Sequence, residues 1–252
     1  SSLSTPSTTD NQLIGSGPTP ITLLKNIAGL DPYTTWYFRA VARNAGGTQK
    51  GAIKSFATGE LYVAIGDSIT EGIGDDDLAD GRGFEPVLQN LLSTARGYPI
   101  SIVNAGVGGT TSADGASTIS TTLSSNRSAK YYLVMYGTND ADTGPSGTDP
   151  PVSAGSYKSN MQGIISAIRA AGKTPYLAKV PYNSSPRSSL ASIQEYNAVI
   201  DELVADPANQ ISVTPPPFYA YFEQHPSELG DGVHPNGAGY RSMANLWDIA
   251  LP

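Results

Sequence analysis

Hydrophobic and polar positions divide the chain into two parts with different periodicities. Before residue 60, short runs of β-branched and aromatic residues alternate with turn residues, which is typical of antiparallel strands. From residue 60 onward, short apolar runs alternate with longer segments whose apolar residues recur at helical spacing. The pattern predicts two domains: residues 1–59 form a small all-β segment, and residues 60–252 form an α/β domain.

The second part contains five strand-like runs and four helical stretches. The predicted strands are 60–65, 99–104, 130–136, 174–180 and a short one at 210–213. The predicted helices are 83–95, 153–171, 186–205 and 236–249. Because strands that alternate with helices form parallel sheets covered on both faces, we expect a five-stranded parallel sheet between two helical layers.

The first 59 residues carry the signals of a β-hairpin. The run 36–43 is β-prone, residues 44–48 predict a turn, and 51–58 predicts the returning strand. Residues 1–20 are rich in Ser, Thr, Gly and Pro and predict an arm or a linker, after which a strand begins at 21–24. Alternate positions of the first strand share one face, which we expect to be buried: Trp36, Phe38, Ala40 and Ala42.

The amino-acid composition and net charge of the chain disfavour some kinds of binding partner and exclude some kinds of chemistry. The chain of 252 residues has a net charge of −7, which disfavours nucleic acid and anionic membranes but leaves neutral esters and glycans open. It contains no cysteine, so disulfides, thiolate nucleophiles and cysteine metal sites are excluded. No apolar run reaches the ~18 residues of a membrane span. A chain without cysteine fits bacterial-type export, and we expect a secreted, extracellular protein whose leader or upstream segment has been removed.

Four polar stretches each follow a predicted strand or stand late in the chain. Gly-Asp-Ser ends the first apolar run at Ser68, with a glycine spacing that differs from the G-x-S-x-G elbow. A glycine-rich stretch occupies 104–111, Asn139 follows the third run, and Asp231 precedes His234 by three residues. Loops after parallel strands converge on one edge of the sheet, so we expect these groups to meet in one cleft.

The residue types in these stretches fit nucleophilic catalysis. A serine hydroxyl is a poor nucleophile without a general base, and the chain offers two histidines, His225 and His234. Asp231 is close enough in sequence to hold the ring of His234 in one tautomer, as in the Ser-His-Asp template. We therefore expect Ser68, His234 and Asp231 to be catalytic, and His225 to be a surface or rim residue.

A tetrahedral intermediate also needs converging hydrogen-bond donors. The backbone N–H groups of Ser68 and Gly109 and the side-chain amide of Asn139 can supply three, and we expect them to form the oxyanion hole. A glycine at position 109 lets the backbone approach a ligand without a Cβ in the way.

The four stretches, in this order, resemble the SGNH (GDSL) hydrolase family over residues 60–252. Its four signature residues match Ser68, Gly109, Asn139 and His234. The resemblance implies a flavodoxin-like α/β/α sandwich and a serine esterase that forms an acyl-serine intermediate, with no metal or other cofactor. The loops after the strands are short and no large apolar lid is apparent, so we expect short-chain or acetyl esters of a small molecule or a glycan.

Residues 30–39, 44–47 and 55–58 resemble the C-terminal half of a fibronectin type III module. Trp36 stands where that family usually has its corner tyrosine. A complete module needs about a hundred residues, whereas 59 precede the first strand of the hydrolase part. We therefore expect a partial module that packs on the catalytic domain or pairs with a missing segment.

Two other functions stay open. One is lysophospholipase or thioesterase activity on the same triad. The other is a non-catalytic protein in which the half-module binds a glycan or a partner. The oligomeric state is not predicted.

Two further groups of residues are candidates for the cleft rim. Aromatic residues near the later loops are expected to contact substrate: Tyr182, Phe218, Tyr219 and Tyr221. The acidic stretch 75–80 resembles a calcium-binding cluster, but it lacks the bidentate Glu of an EF-hand. A solvated acidic loop next to the cleft is the favoured interpretation of that stretch.

Overall fold

The computed structural model describes residues 7–15, 22–23, 25, 27, 30 and 34–252. The chain divides into two compact units, Ser1–Gly59 and Glu60–Pro252. The ends of the strand expected at 21–24 and residues 31–33 of the fibronectin-like stretch lie outside the described residues.

The described residues of the first unit form four short strands: β1 (Thr35–Phe38), β2 (Val41–Asn44), β3 (Gly47–Lys50) and β4 (Lys54–Ala57). β1 pairs antiparallel with β4, and β2 pairs antiparallel with β3. At the hairpin turn, the Asn44 side chain accepts a hydrogen bond from the Gly46 N–H at 2.9 Å. The predicted hairpin is therefore split into two two-stranded sheets.

The prediction of a buried face on this hairpin is wrong. Phe38 is 44% exposed, Trp36 is half-buried, and Ala40 and Ala42 are exposed. Phe38 packs edge-to-face on Phe56 with ring centroids 6.0 Å apart. A two-stranded sheet has too little apolar surface to form a core, and among the described residues of this unit no further layer covers that face.

The second unit is built on a parallel sheet of four strands. These are β5 (Glu60–Gly66), β6 (Ile100–Gly106), β7 (Tyr131–Met135) and β8 (Thr174–Leu177). Their order across the sheet is β6-β5-β7-β8, which is the doubly wound order of flavodoxin-like folds without its last strand.

The expectation of a fifth strand at 210–213 is wrong. Ile211 and Val213 are buried on opposite faces of the sheet, so the segment keeps a strand-like alternation without forming a ladder. The contact with the end of β8 includes one hydrogen bond, from the Lys179 N–H to the Pro216 carbonyl at 3.3 Å. Pro175 in β8 and the prolines at 215–217 have no N–H to donate, which prevents a regular ladder.

Helices cover both faces of this sheet, giving the expected three-layer α/β/α sandwich. In the described residues the α-helices are α1 (Ser68–Glu71), α2 (Glu85–Arg96), α3 (Ser112–Ser125), α4 (Ala154–Ala170), α5 (Leu190–Ala205), α6 (Phe218–Gln224) and α7 (Gly237–Ala250). One core packs α3, α4 and α5 on Val63, Ile65 and Val134 of the sheet. The other packs α2, α6 and α7 on Tyr62 and Leu133. No helix in the described part of the chain is both long and apolar enough to cross a membrane.

The sequence predicted α2, α4, α5 and α7 but missed α1, α3 and α6. α3 is rich in Ser and Thr and contains one Gly, all of them weaker helix formers than Ala. It begins with a capping box, in which the Thr111 hydroxyl and the Asp114 carboxylate each accept a backbone N–H from the other residue. Its stability depends on this cap and on packing against α4.

Two glycines at strand ends allow α1 to lie across the sheet edge. Gly66 ends β5 and is paired with Gly106 at the end of β6. A Cβ on Gly66 would lie 2.1 Å from the Thr70 Oγ1, and a Cβ on Gly106 would lie 2.3 Å from the Glu71 N. No side chain fits at either position, so the pair of glycines fixes where Ser68 emerges from the sheet.

Glu85, at the start of α2, should make stability depend on pH. It is 3% exposed, and burial raises its pKa to about 8, against smaller opposing effects of its backbone N–H and the Asn104 amide. Between about pH 4.5 and 8 the unfolded chain carries an ionised Glu85 and the folded chain a protonated one. The free energy of unfolding therefore falls as pH rises through this window, by up to about 1.4 kcal/mol per pH unit.

The Glu85→Gln variant should lose this contribution and be more stable than the parent at pH 8. Urea unfolding at pH 5 and pH 8 measures the difference. Glu195→Gln, at an exposed position of α5, is the matched control and should follow the parent at both pH values. The same pH dependence in parent and Glu85→Gln would show that Glu85 is not responsible.

Candidate active site

Ser68 lies at the junction of β5 and α1. Asp67 is 1% exposed and caps the helix, because its Oδ1 accepts the Ile69 N–H at 2.9 Å. Ser68 is the first residue of α1, so its own N–H has no partner within the helix. Its hydroxyl is half-buried and lines an open cleft of about 380 Å³.

A chain of two hydrogen bonds connects Ser68 to a carboxylate. The Ser68 Oγ lies 2.9 Å from the His234 Nε2, and the His234 Nδ1 lies 2.7 Å from the Asp231 Oδ2. The other carboxylate oxygen of Asp231 accepts the backbone N–H groups of Val233 at 2.9 Å and His234 at 2.7 Å. The three residues expected to act together are thus within hydrogen-bonding distance.

The protonation state of Asp231 determines the direction of both hydrogen bonds. Partial burial acts to raise its pKa, but the hydrogen bonds from the His234 ring and from two backbone N–H groups outweigh it and lower the pKa to about 2. An ionised carboxylate can only accept, so the His234 Nδ1 carries the proton. The Nε2 then has a free lone pair, and it accepts the hydroxyl proton of Ser68.

The acidic stretch 75–80 supports the loop that carries His234. The Asp76 Oδ1 accepts the Gly237 N–H at 2.8 Å, at the first residue of α7. Arg241, one turn further along α7, pairs with Asp77 at 2.6 Å. Within the described ranges, no group of three His, Asp or Glu side chains is arranged to hold a metal ion. Asp76 and Asp77 are acceptors for the first residue of α7 and for Arg241.

Gly74, immediately before this acidic stretch, lies directly against His234. Its φ is +88°, and a Cβ there would lie 2.7 Å from the Cβ of His234. Both the backbone conformation and the contact therefore require glycine.

Gly109 and Asn139 line the same cleft as Ser68. Gly109 has a φ of +78°, and no protein atom lies within 4 Å of a Cβ built on it. Its backbone conformation, rather than crowding by the protein, is what requires glycine. The Asn139 Nδ2 donates to the Thr110 carbonyl at 2.9 Å, which holds the amide beside Gly109 and leaves its second N–H available.

Glu71 is a supporting residue that sequence reasoning missed. Its Oε2 accepts the Gly108 N–H at 2.8 Å and so ties the glycine-rich loop to the helix that carries Ser68. A Cβ on Gly108 would lie 2.9 Å from this oxygen. A glutamate in the first turn of a short helix has no distinguishing sequence pattern, so only the contact reveals it.

Asp140 holds the loop that carries Asn139. It is 1% exposed, and its carboxylate accepts both the backbone N–H and the hydroxyl of Ser112 at the start of α3. Burial raises the pKa of Asp140, and the hydrogen bonds from Ser112 oppose that rise.

The remaining lining of the cleft is mostly polar. Ile73 and Val233 are its aliphatic side chains, and an Asp142–Arg187 ion pair faces it. Three further hydroxyl residues line it: Thr138, Ser185 and Ser188. Sequence reasoning identified none of these seven residues as site residues. Thr138 and Val233 lie beside the motif residues Asn139 and His234, and the other five lie on segments without a recognisable motif.

The aromatic residues expected at the substrate pocket are not part of this lining. The expectation for Phe218 is wrong, since it is fully buried and packs edge-to-face on Trp247 in the core. Tyr182 packs edge-to-face on Tyr219, 5.7 Å between ring centroids. Tyr221 stacks on the exposed His225, and its hydroxyl lies 2.8 Å from the Ser242 Oγ.

A flavodoxin-like sandwich with a Ser–His–Asp hydrogen-bond chain at its strand ends is an architecture of hydrolases. A model of the GDSL-like lipase/acylhydrolase family matches residues 64–242. This match covers most of the chain, and the protein belongs to that family.

Two curated proteins are similar in sequence. Esterase TesA of Pseudomonas aeruginosa is 26% identical over 201 residues, which is 78% of this chain and 90% of the relative. An uncharacterized lipoprotein of Bacillus subtilis, YqeF, is 35% identical over 120 residues, 47% of each protein. The chain thus matches about half of the lipoprotein's length.

Solved structures confirm the fold. A lipase/acylhydrolase from Enterococcus faecalis superimposes with a TM-score of 0.59 at 24% identity, covering 75% of this chain and 94% of that one. An acetyl xylan esterase from Geobacillus stearothermophilus gives a TM-score of 0.62 at 21% identity, covering 76% and 94%. At these identities the likeness establishes the architecture of the second unit and nothing finer.

The contact between Gly74 and His234 can be tested with two alanine variants. Gly74→Ala should lower kcat/KM for 4-nitrophenyl acetate on the order of a hundredfold, because its Cβ displaces the imidazole from Ser68. Gly97→Ala is the control: Gly97 also has a positive φ, +71°, but a Cβ there meets no atom within 4 Å. It should lose stability in thermal unfolding and keep its activity. Equal losses of activity in both variants would attribute the effect to backbone strain.

Proposed function

We propose that the protein is a serine esterase that hydrolyses short-chain carboxylic esters through an acyl-serine intermediate, with residues 60–252 as the catalytic domain. The observation that carries this proposal is the 2.9 Å hydrogen bond between the Ser68 Oγ and the His234 Nε2. Asp231 is ionised behind the same ring, so the imidazole is in the tautomer that can accept a proton.

In the first half of the reaction, the Ser68 oxygen attacks the ester carbonyl carbon while the His234 Nε2 takes the hydroxyl proton. The carbonyl π electrons move to the oxygen and form an oxyanion. Donors for this charge are the N–H groups of Ser68 and Gly109 and the free amide N–H of Asn139. Preorganised donors of this kind each lower the barrier by about 3–4 kcal/mol.

The second half releases both products. The tetrahedral intermediate collapses, the bond to the alcohol oxygen breaks, and the imidazolium of His234 gives its proton to that oxygen. Water then attacks the acyl-serine, with His234 again as the base, and the acid leaves as Ser68 is regenerated. Asp231 remains ionised throughout because its pKa of about 2 lies far below neutral pH, so it stabilises each imidazolium.

The lining of the cleft supports a short acyl group such as acetyl. Its aliphatic side chains are Ile73 and Val233, which together bury only a few methylene groups. A long acyl chain, as in a lysophospholipid, needs an extended apolar surface for each of its methylenes. The alternatives of lysophospholipase and thioesterase activity are therefore less well supported. A purely binding role is disfavoured by the intact Ser–His–Asp geometry.

A series of 4-nitrophenyl esters, compared in the parent and in Ser68→Ala, tests the nucleophile and the acyl size together. Parent kcat/KM should be highest for acetate or propionate and fall for longer chains, and Ser68→Ala should lose at least about a thousandfold on every ester. Ser159→Ala, at an exposed serine of α4, is the control and should match the parent. An organophosphonate should label the parent stoichiometrically at Ser68. Retained turnover in Ser68→Ala would refute the mechanism, and a maximum at long chains would refute the acyl size.

We propose that residues 1–59 are a partial fibronectin type III-like module that acts as a spacer. Two antiparallel sheets and the motif at 30–39 support the resemblance. Ser68, Asp231 and His234 all belong to the second unit, which supports a role of residues 1–59 outside the chemical step. Export stays a prediction, with which the similarity to a Bacillus subtilis lipoprotein is compatible.

Deleting residues 1–58 should leave kcat/KM for 4-nitrophenyl acetate within about twofold of the full chain, because independent sites couple by less than 0.5 kcal/mol. Steady-state kinetics and the Tm of both proteins provide the comparison. A tenfold loss of kcat/KM at unchanged Tm would assign the segment to the cleft rim. A large fall in Tm would instead make it a packing partner of the catalytic domain.

A further inference from the structure

An ion pair lines the same cleft as Ser68 and His234 but takes no part in the mechanism above. The Arg187 Nη2 lies 2.6 Å from the Asp142 Oδ2, and its Nε donates to the Asp142 Oδ1 at 3.3 Å. The arginine side chain is 50% exposed and the aspartate 35%. The pair is thus held at two points while one side remains open to the cleft.

The segment that carries Arg187 is attached to both of the loops that surround Ser68. On one side, the Ser184 N–H donates at 2.8 Å to the carbonyl of Gly232, which lies between Asp231 and His234. On the other side, the Thr143 N–H donates at 2.7 Å to the Arg187 carbonyl, and the Ser189 N–H donates at 2.9 Å to the Ala141 carbonyl. Arg187 therefore bridges the His234 loop and the loop that follows Asn139.

The hydrogen-bonding capacity of this pair is only partly used. A guanidinium has five N–H donors, and Asp142 takes two of them. The Asp142 Oδ1 also accepts the Gly144 N–H at 2.8 Å, so its two lone pairs are used, whereas the Oδ2 accepts one bond from Arg187 and keeps a second lone pair. The pair therefore offers the cleft donors and acceptors side by side, with no net charge.

Such a surface matches one class of alcohol. An alcohol with several hydroxyl groups can accept from Arg187 and donate to Asp142 at the same time. A plain alkyl alcohol would cover these groups and leave them without partners, which costs about 1–3 kcal/mol for each buried polar group. An anionic alcohol gains little, because Asp142 already neutralises the guanidinium and the chain as a whole carries −7.

We propose that Arg187 and Asp142 form the binding site for the alcohol half of the ester and select neutral polyhydroxylated alcohols, such as sugars, over alkyl alcohols. This inference rests on the esterase function proposed above. It assigns to Arg187 and Asp142 a part in substrate specificity, separate from the proton transfers at Ser68. Ser185 and Ser188, the chain neighbours of Arg187 on either side within two positions, also line the cleft and extend the polar surface.

The first arm of the test uses the protein unchanged. With acetyl as the common acyl group, kcat/KM for a mono-O-acetylated methyl glycoside should exceed that for n-butyl acetate by about tenfold to a hundredfold, the range expected for hydrogen bonds to charged groups. Equal rates, or a preference for n-butyl acetate, would overturn the proposal. Turnover of 4-nitrophenyl acetate by the parent, and its loss in Ser68→Ala, reports separately on the esterase function.

The second arm removes each partner of the pair. Arg187→Met keeps much of the length of the side chain without its donors, and Asp142→Asn keeps the shape without the charge. In each variant, kcat/KM for the glycoside ester should fall about tenfold or more relative to n-butyl acetate, mainly through KM. Lys158→Met removes an exposed ion pair with Glu202, 2.7 Å long, that joins α4 and α5, and it should leave the ratio unchanged.

Comparing the two substrates within each variant separates recognition from structure. A variant that loses both activities equally has a damaged fold or a displaced loop, and that result in both Arg187→Met and Asp142→Asn would overturn the proposal. An unchanged ratio with full activity would overturn it as well. A fallen ratio at a Tm close to that of the parent supports it.

Discussion

Parallel pairing of β5 with β6 and β7 brings three strand ends into line. Gly66 is in register with Gly106 on one side and with Met135 on the other. The loops that carry Ser68, Gly109 and Asn139 begin within a few residues of this line. Since neighbouring strands in a sheet are about 4.8 Å apart, the three loops start close together, and residues from all three line one cleft. The site depends on this register, because a slip of one strand would carry its loop away from the other two.

His234 comes from the far end of the sequence and needs its own means of placement. It precedes α7, whose first residue donates its N–H to Asp76, and it packs against Gly74. The stretch 72–83 therefore links the Ser68 turn to the His234 loop through short-range hydrogen bonds. Acidic residues suit this position because the N-terminus of a helix attracts negative charge. The contacts with Gly237 and Arg241 give this acidic stretch a structural role.

Much of the fold and of the candidate site could be predicted from the sequence. Ser68, Asn139 and the Gly109 loop follow apolar runs, so the rule that loops meet at one sheet edge was enough to bring them together. The prediction of a fifth strand was wrong because Ile211 and Val213 alternate as in a strand, whereas Pro175 in β8 and the prolines at 215–217 prevent a ladder. α3 was missed because its cap and its neighbours, rather than its composition, stabilise it.

Side chains that act through tertiary contacts left no such signal. Glu71 and Arg187 are ordinary charged residues in sequence, and each is defined by a partner at least 37 positions away. Phe218 shows the opposite error: an aromatic residue near the site was interpreted as a pocket wall, although α6 turns it towards Trp247. A short apolar run is too short to show whether its side chains follow the period of a helix or of a strand, so it does not reveal which of them face the core.

The carboxyl groups around Ser68 divide into two kinds according to their environment. Burial raises the pKa of Asp67 to about 6 and also raises that of Asp140, whereas hydrogen bonds lower that of the more exposed Asp231 to about 2. The buried carboxyls accept backbone N–H groups at the starts of α1 and α3, so their hydrogen bonds hold the loop geometry despite the cost of desolvation. The exposed carboxylate is permanently charged and faces the imidazole. Aspartate thus has two roles near Ser68, and solvent exposure decides between them. The buried Asp67 and Asp140 hold the loops, and the more exposed Asp231 orients the ring of His234.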